Sequence, residues 1–314
     1  MKILMFGRGS ITTIYGWALE RRGHSVEFYV RPERLAAAGR GVPLAFYDAR
    51  SRTRGTLVEE SYPARLRADI PRDHDYDLIV LSLHYDQFEE AVAVLDGHIG
   101  SATVLVLGNF WADPEPAMSP LPADRLVWGF PSAGGVFDGT GTLHGALLRS
   151  MRFGSLHGGA PTAREREVHA LFQSAGFSVR QSRDFRGWLW VHFASGAALL
   201  PSALLAGSVG KVITSGPQWQ RVRQNMADAE RVLTARGVDL SAHRTSLLVT
   251  RLPGWVLVPV IRLALRVSKP LRAVADAGVN EHEAHSSLVA VIDEAHRLGV
   301  EVPHLEAARR ELRA

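Results

Sequence analysis

The 314-residue chain contains no cysteine and only three lysines, Lys2, Lys211 and Lys269. Without cysteine, a disulfide framework, a thiolate nucleophile and a zinc–thiolate site are all excluded. With so little lysine, the basic residues are almost all arginine, and they alternate with acids instead of forming runs. The net charge of +4 and pI near 9.7 therefore favour solubility and anionic ligands, and argue against nucleic acid as a partner. No repeat or low-complexity segment is visible. The N-terminus runs directly into the strand-like Lys2-Ile3-Leu4-Met5-Phe6, so the expectation is a cytoplasmic chain with no secretory leader.

What is present is apolar residue in quantity, 46% of the chain, enough for two domains with real cores. The first half alternates short apolar runs with helical patterns. Strands are expected at 2–6, 26–30, 44–47, 78–83 and 104–108, with helices at 11–22 and 88–95. Runs such as Leu78-Ile79-Val80-Leu81 are apolar on both faces, as a parallel sheet covered by helices requires. Such alternation implies right-handed crossovers and a doubly wound sheet.

After Asn109 the strands shorten, to 126–130, 142–148 and 151–154, interrupted by Ala133-Gly134-Gly135 and the glycines at 139 and 141. They read as an antiparallel or mixed edge of the same sheet. A helix over 162–175 and a strand over 178–181 close the domain. From Asp184 the pattern is helical, with helices at 188–206, 218–236 and 281–298 and a Gly299 stop. The fold class expected is α/β: a Rossmann-type sheet over 1–183, then an all-helical substrate and dimerisation domain over 184–314.

The most unusual stretch is 252–267, containing Trp255-Val256-Leu257-Val258-Pro259-Val260-Ile261. Its length falls short of the ~20 apolar residues of a membrane span, and arginines flank it, so stable membrane insertion is not expected. It suits a core or dimer-interface helix first, a lid over an apolar substrate pocket second, and a peripheral membrane contact last.

Gly7-Arg8-Gly9-Ser10-Ile11-Thr12 follows a strand and opens a helix within the first βαβ unit. Gly7 permits a tight turn, Gly9 lets the backbone approach a pyrophosphate, and the helix amides of Ser10 and Ile11 face its charge. Thr12 stands where glycine or alanine is usual, and Gly16 is positioned to take over close helix–strand packing. The second strand ends at Val30 and Arg31 follows. An acid at this place suits NADH, whereas an arginine suits the 2′-phosphate of NADPH. NADPH is the cofactor expected.

This order of features resembles the ketopantoate reductase family over essentially the whole chain. The residues that carry the resemblance are the N-terminal glycine turn, Gly23-His24-Ser25-Val26, the arginine after the second strand, and Asn109 directly after Val104-Leu105-Val106-Leu107-Gly108. Glu283, followed by Gly299-Val300-Glu301-Val302-Pro303, completes it. The resemblance implies that Asn109 lies beside nicotinamide and substrate and that Glu283 belongs to the substrate cleft. It also exposes departures. The family's catalytic lysine falls on His192, its two asparagines fall on Gly196 and Leu200, and a second lysine falls near His84, while the glutamine after it is kept as Gln87. None of the three lysines present replaces either one.

Losing these polar groups argues against ketopantoate itself, because a buried hydroxyl or carboxylate left unpaired costs on the order of 1–3 kcal/mol. A larger, apolar small-molecule carbonyl or imine is expected instead. Histidine titrates near neutrality and can donate the proton that accompanies hydride transfer, so His192 is the candidate acid, with Glu283 orienting it and Asn109 holding the substrate oxygen or nicotinamide. His84 and Gln87 are candidates for the cofactor side. Against these stand blander readings: His192 as a satisfied core histidine among Trp188, Trp190 and Phe193, and Glu283 as a solvated helix face. His282 and His285 have metal-ligand spacing without a third ligand in view, so no metal site is expected. The rival function is an NADPH-binding protein with no net redox step.

Overall fold

A computed structural model describes residues 1–36, 39 and 41–313. The chain divides into two compact units, Met1–Gly108 with Asp113–Phe185, and Asn109–Ala112 with Arg186–Ala314.

The first unit contains twelve strands and five helices among its described residues. In chain order they are β1 (Lys2–Phe6), α1 (Ser10–Glu20), β2 (Ser25–Tyr29), α2 (Pro32–Leu35), β3 (Val42–Asp48), β4 (Thr56–Tyr62), β5 (Leu66–Arg67), β6 (Leu78–Leu81), α3 (Phe88–Leu95) and β7 (Thr103–Leu107). Then come α4 (Pro114–Ala117), β8 (Leu126–Phe130), β9 (Ala133–Phe137), β10 (Leu143–Leu147), β11 (Ser150–Gly154), α5 (Ala163–Ser174) and β12 (Ser178–Ser182).

The main sheet has the order β12-β11-β8-β7-β6-β1-β2-β5. Every pairing in it is parallel except β8 with β11. All of β6 and β7 is buried, and all of β1 beyond Lys2, which explains their unbroken Val/Leu/Ile runs. Strand order reverses at β1, whose neighbours are β2 on one side and β6 on the other. In doubly wound sheets ligands bind beyond the carboxyl ends of the strands at such a point.

The expected antiparallel edge is only partly there. β8 and β11 do extend the main sheet, but β10 joins β3, β4 and β9 in a separate four-stranded sheet of order β4-β3-β10-β9. The glycines that read as interruptions are what let β9 and β10 pair. A Cβ on Gly135 would lie 2.7 Å from the His144 carbonyl oxygen, and Gly145 has φ +151° against Gly134. Only glycine tolerates that approach.

The second sheet accounts for α1, a helix buried from Thr12 through Leu19 with no polar face. On one side Gly16 meets β2: a Cβ there would come within 2.6 Å of Phe28 Cζ and 3.3 Å of Val26 Cγ1. Toward the second sheet, Ile14 reaches Gly135, and Trp17 packs edge-on to Phe46 and donates to Glu60 at 2.6 Å. Tyr15 stacks on Phe177, accepts from the Ser132 amide at 3.0 Å and donates to Met151.

The second unit is helical: α6 (Phe185–Ala206), α7 (Val209–Ile213), α8 (Gly216–Ala235), α9 (Arg244–Arg251), α10 (Gly254–Val267), α11 (Lys269–Asp276), α12 (Glu281–Leu298) and α13 (Pro303–Arg313). By length and composition α6 could cross a membrane, with mean hydropathy 1.5, but half of that window is buried, as in a core helix. Pro201 removes one helical donor inside it, and Asn225 of α8 donates to the nearby Ala198 carbonyl at 3.0 Å. Asp228 is fully buried, yet it accepts from the backbone amides of His304 and Leu305 and from Arg231. It is thereby committed to starting α13.

Because Phe28 is fully buried and faces Tyr62, Gly16→Val overpacks a site that cannot give. It should cost about 2 kcal/mol, read as a thermal midpoint lower by roughly 4–8 °C; a fall of under about 1 °C would mean that α1 does not depend on this contact.

Candidate active site

At the end of β1 the chain turns on Gly7, whose φ of +91° lies in the left-handed region and whose missing Cβ faces open space. Its amide donates to the Tyr29 carbonyl at 2.9 Å, locking the turn to β2. Gly9 then starts α1 in an extended conformation and carries no side-chain cap. The first amides of α1, at Ser10 and Ile11, therefore have no capping side chain, and a helix start in that condition is an anion site. Thr12 is accommodated in the place of the usual small residue because its hydroxyl donates to the Gly9 carbonyl at 3.1 Å. Close packing passes to Gly16, as the sequence suggested. The turn fits a dinucleotide pyrophosphate on these observations.

Four further predicted residues belong to this unit. Arg8 lies in the turn, where partial burial lowers its pKa, and its guanidinium donates to Gly39 at 3.4 Å. Arg31 caps α2 just past β2 and pairs with Glu90 of α3. That pairing is not visible in the sequence, since the partners are 59 residues apart. His84 is exposed and opens a single 3-10 turn, Tyr85–Gln87, beyond β6. Its amide donates to Gln87 Oε1 at 3.3 Å. The ends of β1, β2 and β6 thus bring Gly7–Ile11, Arg31, His84 and Gln87 to one edge of the sheet, at its switch point.

Asn109 follows β7 but groups with the helical unit. Its Oδ1 is buried and has no hydrogen-bond partner among the described residues. Two residues on, Trp111 stacks on Phe193 of α6 at 5.4 Å between ring centroids. The Arg236 guanidinium, at the end of α8, lies over both Trp111 and Trp190, at 4.5 and 4.0 Å, with Glu294 of α12 at 3.9 Å. The sequence reading missed this cage. Its only signal was a tryptophan two residues after Asn109 and another two before His192.

His192 is not a core histidine. It is exposed on α6 and stacks on Trp188 one turn earlier, at 5.1 Å and 20°. Glu283 is half-buried in the first turn of α12, and its amide donates to Asn280 Oδ1 at 3.1 Å. His285 lies 3.9 Å from Glu281, and no group of three His, Cys, Asp or Glu that could hold a metal occurs among the described residues.

Residues 3–158 match the family model described as ketopantoate reductase PanE/ApbA. The chain belongs to the ketopantoate reductase family. Solved structures agree over its full length. The 2-dehydropantoate 2-reductase from Geobacter metallireducens GS-15 is 17% identical with a TM-score of 0.71, covering 100% of this chain and 99% of that one. The enzyme of the same name from Porphyromonas gingivalis W83 is 18% identical with a TM-score of 0.67, covering 100% and 99%. D-mandelate dehydrogenase with NADH and anilino(oxo)acetate is 15% identical with a TM-score of 0.72, covering 100% and 97%. At such identities these likenesses establish the fold. No curated protein sequence matches the chain. Membership in the ketopantoate reductase family supports a NAD(P)-dependent reductase of small carbonyl compounds as the general class.

A planar guanidinium can cover two indole faces, whereas an ammonium cannot. Arg236→Lys should therefore destabilise the helical unit nearly as much as Arg236→Ala, each by about 2 kcal/mol. Chemical denaturation followed by tryptophan fluorescence measures this; full rescue by lysine would show that charge alone matters.

Proposed function

We propose that the protein is an NADPH-dependent reductase that delivers hydride to the carbonyl or imine carbon of an apolar small molecule other than ketopantoate. The observation that carries the reading is His192, exposed and held flat on Trp188. By the family resemblance it falls where the catalytic lysine is expected, with Gly196 and Leu200 at the expected asparagines.

NADPH, when bound, supplies the hydride. The Gly7–Ile11 turn would bind the pyrophosphate, and Arg31 and Arg8 would offer guanidinium donors to the 2′-phosphate. His84 and Gln87 would complete the cofactor side. As the carbonyl carbon accepts hydride, its oxygen takes a proton from the His192 imidazolium, which is left neutral. Glu283 is assigned to orient the imidazole and favour its reprotonation, and the unpaired Oδ1 of Asn109 is available to a donor on the nicotinamide amide or the substrate. With Gly196 and Leu200 in place of asparagines, that face of α6 offers a substrate fewer polar contacts beside His192, and Leu200 favours an apolar one. A cytoplasmic location belongs to the same reading.

His192→Ala should lower turnover by about 10²–10⁴ with unchanged NADPH affinity. His192→Lys should retain turnover and move the high-pH fall in rate to more alkaline pH, because the proton donor must be charged and lysine holds its proton longer. Unaltered turnover in the alanine variant would remove His192 from the mechanism. If NADPH binds tightly yet absorbance at 340 nm never falls with a broad panel of carbonyls and imines, a protein without net redox chemistry is the correct reading.

Cofactor choice has its own test. Arg31→Ala should weaken NADPH by about tenfold or more and leave NADH nearly unaffected. Glu90→Gln frees Arg31 from an exposed pair of small worth, so it should tighten NADPH by no more than about fivefold. Fluorescence titration distinguishes these outcomes, and equal losses for both cofactors in Arg31→Ala would undo the assignment.

A further inference from the structure

Helix α10 is apolar on two opposite sides, and only one of them is used. Leu257 and Val258 are buried, and Ile261 packs against a cluster of Leu257, Ala203, Trp219 and Val222. The helix is pinned there at its start, where Trp219 Nε1 donates to the Leu252 carbonyl at 3.1 Å. The other side is bare: Trp255 is 81% exposed, Val260 60%, Leu263 61% and Val267 58%. At a helical pitch of about 100° per residue these positions fall within an arc of roughly 140°. Leu248 and Val249 of α9 are also exposed, at 56% and 46%, across a bend of 103° at the break between the two helices. A soluble surface seldom leaves so many large apolar side chains, one of them a tryptophan, together in water. Of the first reading of 252–267, a core or dimer-interface helix, the core part holds for one side only.

The charge around this face is of one sign. Between residues 244 and 275 the chain carries Arg244, Arg251, Arg262, Arg266, Lys269 and Arg272, and neither aspartate nor glutamate. Arg251 pairs with Glu230. Arg262 and Arg272 instead donate to the backbone carbonyls of Thr214, Leu265 and Arg266, which fixes their positions without neutralising them. Arg262 and Arg266 lie along one border of the apolar arc.

We propose that the outer face of α10, with the tip of α9, is a docking surface for an anionic lipid bilayer. In it Trp255, Val260, Leu263 and Val267 enter the headgroup–acyl boundary and the arginines meet lipid phosphates. The alternative occupant, a second copy of the chain, is disfavoured by the same charges. A two-fold contact sets a patch against itself, and this patch would bring two predominantly basic surfaces together, Arg251 alone being paired with an acid there among the described residues. Spanning is excluded by length, since fourteen residues of helix reach about 21 Å against a hydrocarbon core of about 30 Å. The surface would hold the protein where apolar carbonyl compounds dissolve, but the docking itself does not depend on the reductase reading.

The test is flotation of the full-length protein, without cofactor, with vesicles of phosphatidylcholine alone or with roughly one-third phosphatidylglycerol. Binding to the anionic vesicles should exceed binding to the neutral ones by at least about tenfold and weaken as salt is raised. Trp255→Ser with Leu263→Ser should lose binding to both, and Arg266→Glu with Lys269→Glu should lose the anionic preference, each with an unchanged circular-dichroism melt because all four side chains are exposed. No flotation with anionic vesicles, or flotation of the serine variant equal to wild type, overturns the proposal. So does a wild-type dimer that sedimentation shows dissociating in the serine variant without vesicles, since a second copy then covers this face.

Discussion

The closeness of α1 to the main sheet is the constraint on which the cofactor half of this molecule depends. A helix lies on a sheet at a distance set by the side chains between them, and at Gly16 there is none: Phe28 occupies the space a Cβ would take. That contact fixes the height of the α1 N-terminus above the carboxyl ends of β1 and β2. The amides of Ser10 and Ile11 are then aimed at whatever anion the turn receives. The usual fingerprint places this small residue four positions earlier. Here the requirement has moved one turn along the same helix, and Thr12 spends its hydroxyl on the Gly9 carbonyl instead. The physical demand, one glycine on the sheet-facing side of the helix, is kept while its position is not.

A second consequence is that α1 has no wet side. The small sheet of β4, β3, β10 and β9 covers what the main sheet leaves open. Burying Ile14, Tyr15, Trp17 and Leu19 together is worth on the order of 1.5–3 kcal/mol per large side chain. The glycine-turn scaffold is therefore rigid, whereas the charges at its rim are adjustable. Arg31 and Glu90 are paired, but both are largely solvated, so the pair is weak. On the proposed cofactor assignment, an incoming phosphate would compete with a carboxylate it can displace.

What could be read from the chain followed the strength of the local signal. Strands buried on both faces, β6 and β7 above all, announce themselves as unbroken aliphatic runs, and the glycine turn announces itself by its place between strand and helix. β4 did not, because its sequence Thr-Leu-Val-Glu-Glu-Ser-Tyr lies largely exposed at a sheet edge and carries two carboxylates. β9 did not because Gly134 and Gly135 serve a cross-strand approach to Gly145, which one-dimensional reading scores as a break. In the candidate site, Arg31 was legible and its partner Glu90 was not. The placement of Arg236 over Trp111 and Trp190 depends on the fold bringing the end of α8 to the residues after β7, and no spacing in the sequence encodes that. For His192 the sequence offered two readings, a candidate acid and a core histidine among tryptophans, and the structure exposes it on α6, stacked on Trp188.

That exposure bears on the role proposed for His192 in the place of the family's lysine. A buried histidine would read as a structural substitution. On the proposed function, an imidazole exposed to solvent and stacked on an indole is accessible and constrained in its orientation, which suits a general acid. Lysine brings a reach of four methylenes and a permanent charge, which suit an anionic keto acid. Histidine gives up both, and the asparagines that would bind a polar substrate have become Gly196 and Leu200. On the proposed function the three changes point the same way: each is compatible with proton donation, and none favours a small carboxylate. On that function, these changes keep a proton donor for carbonyl reduction and shift acceptance toward a less polar substrate.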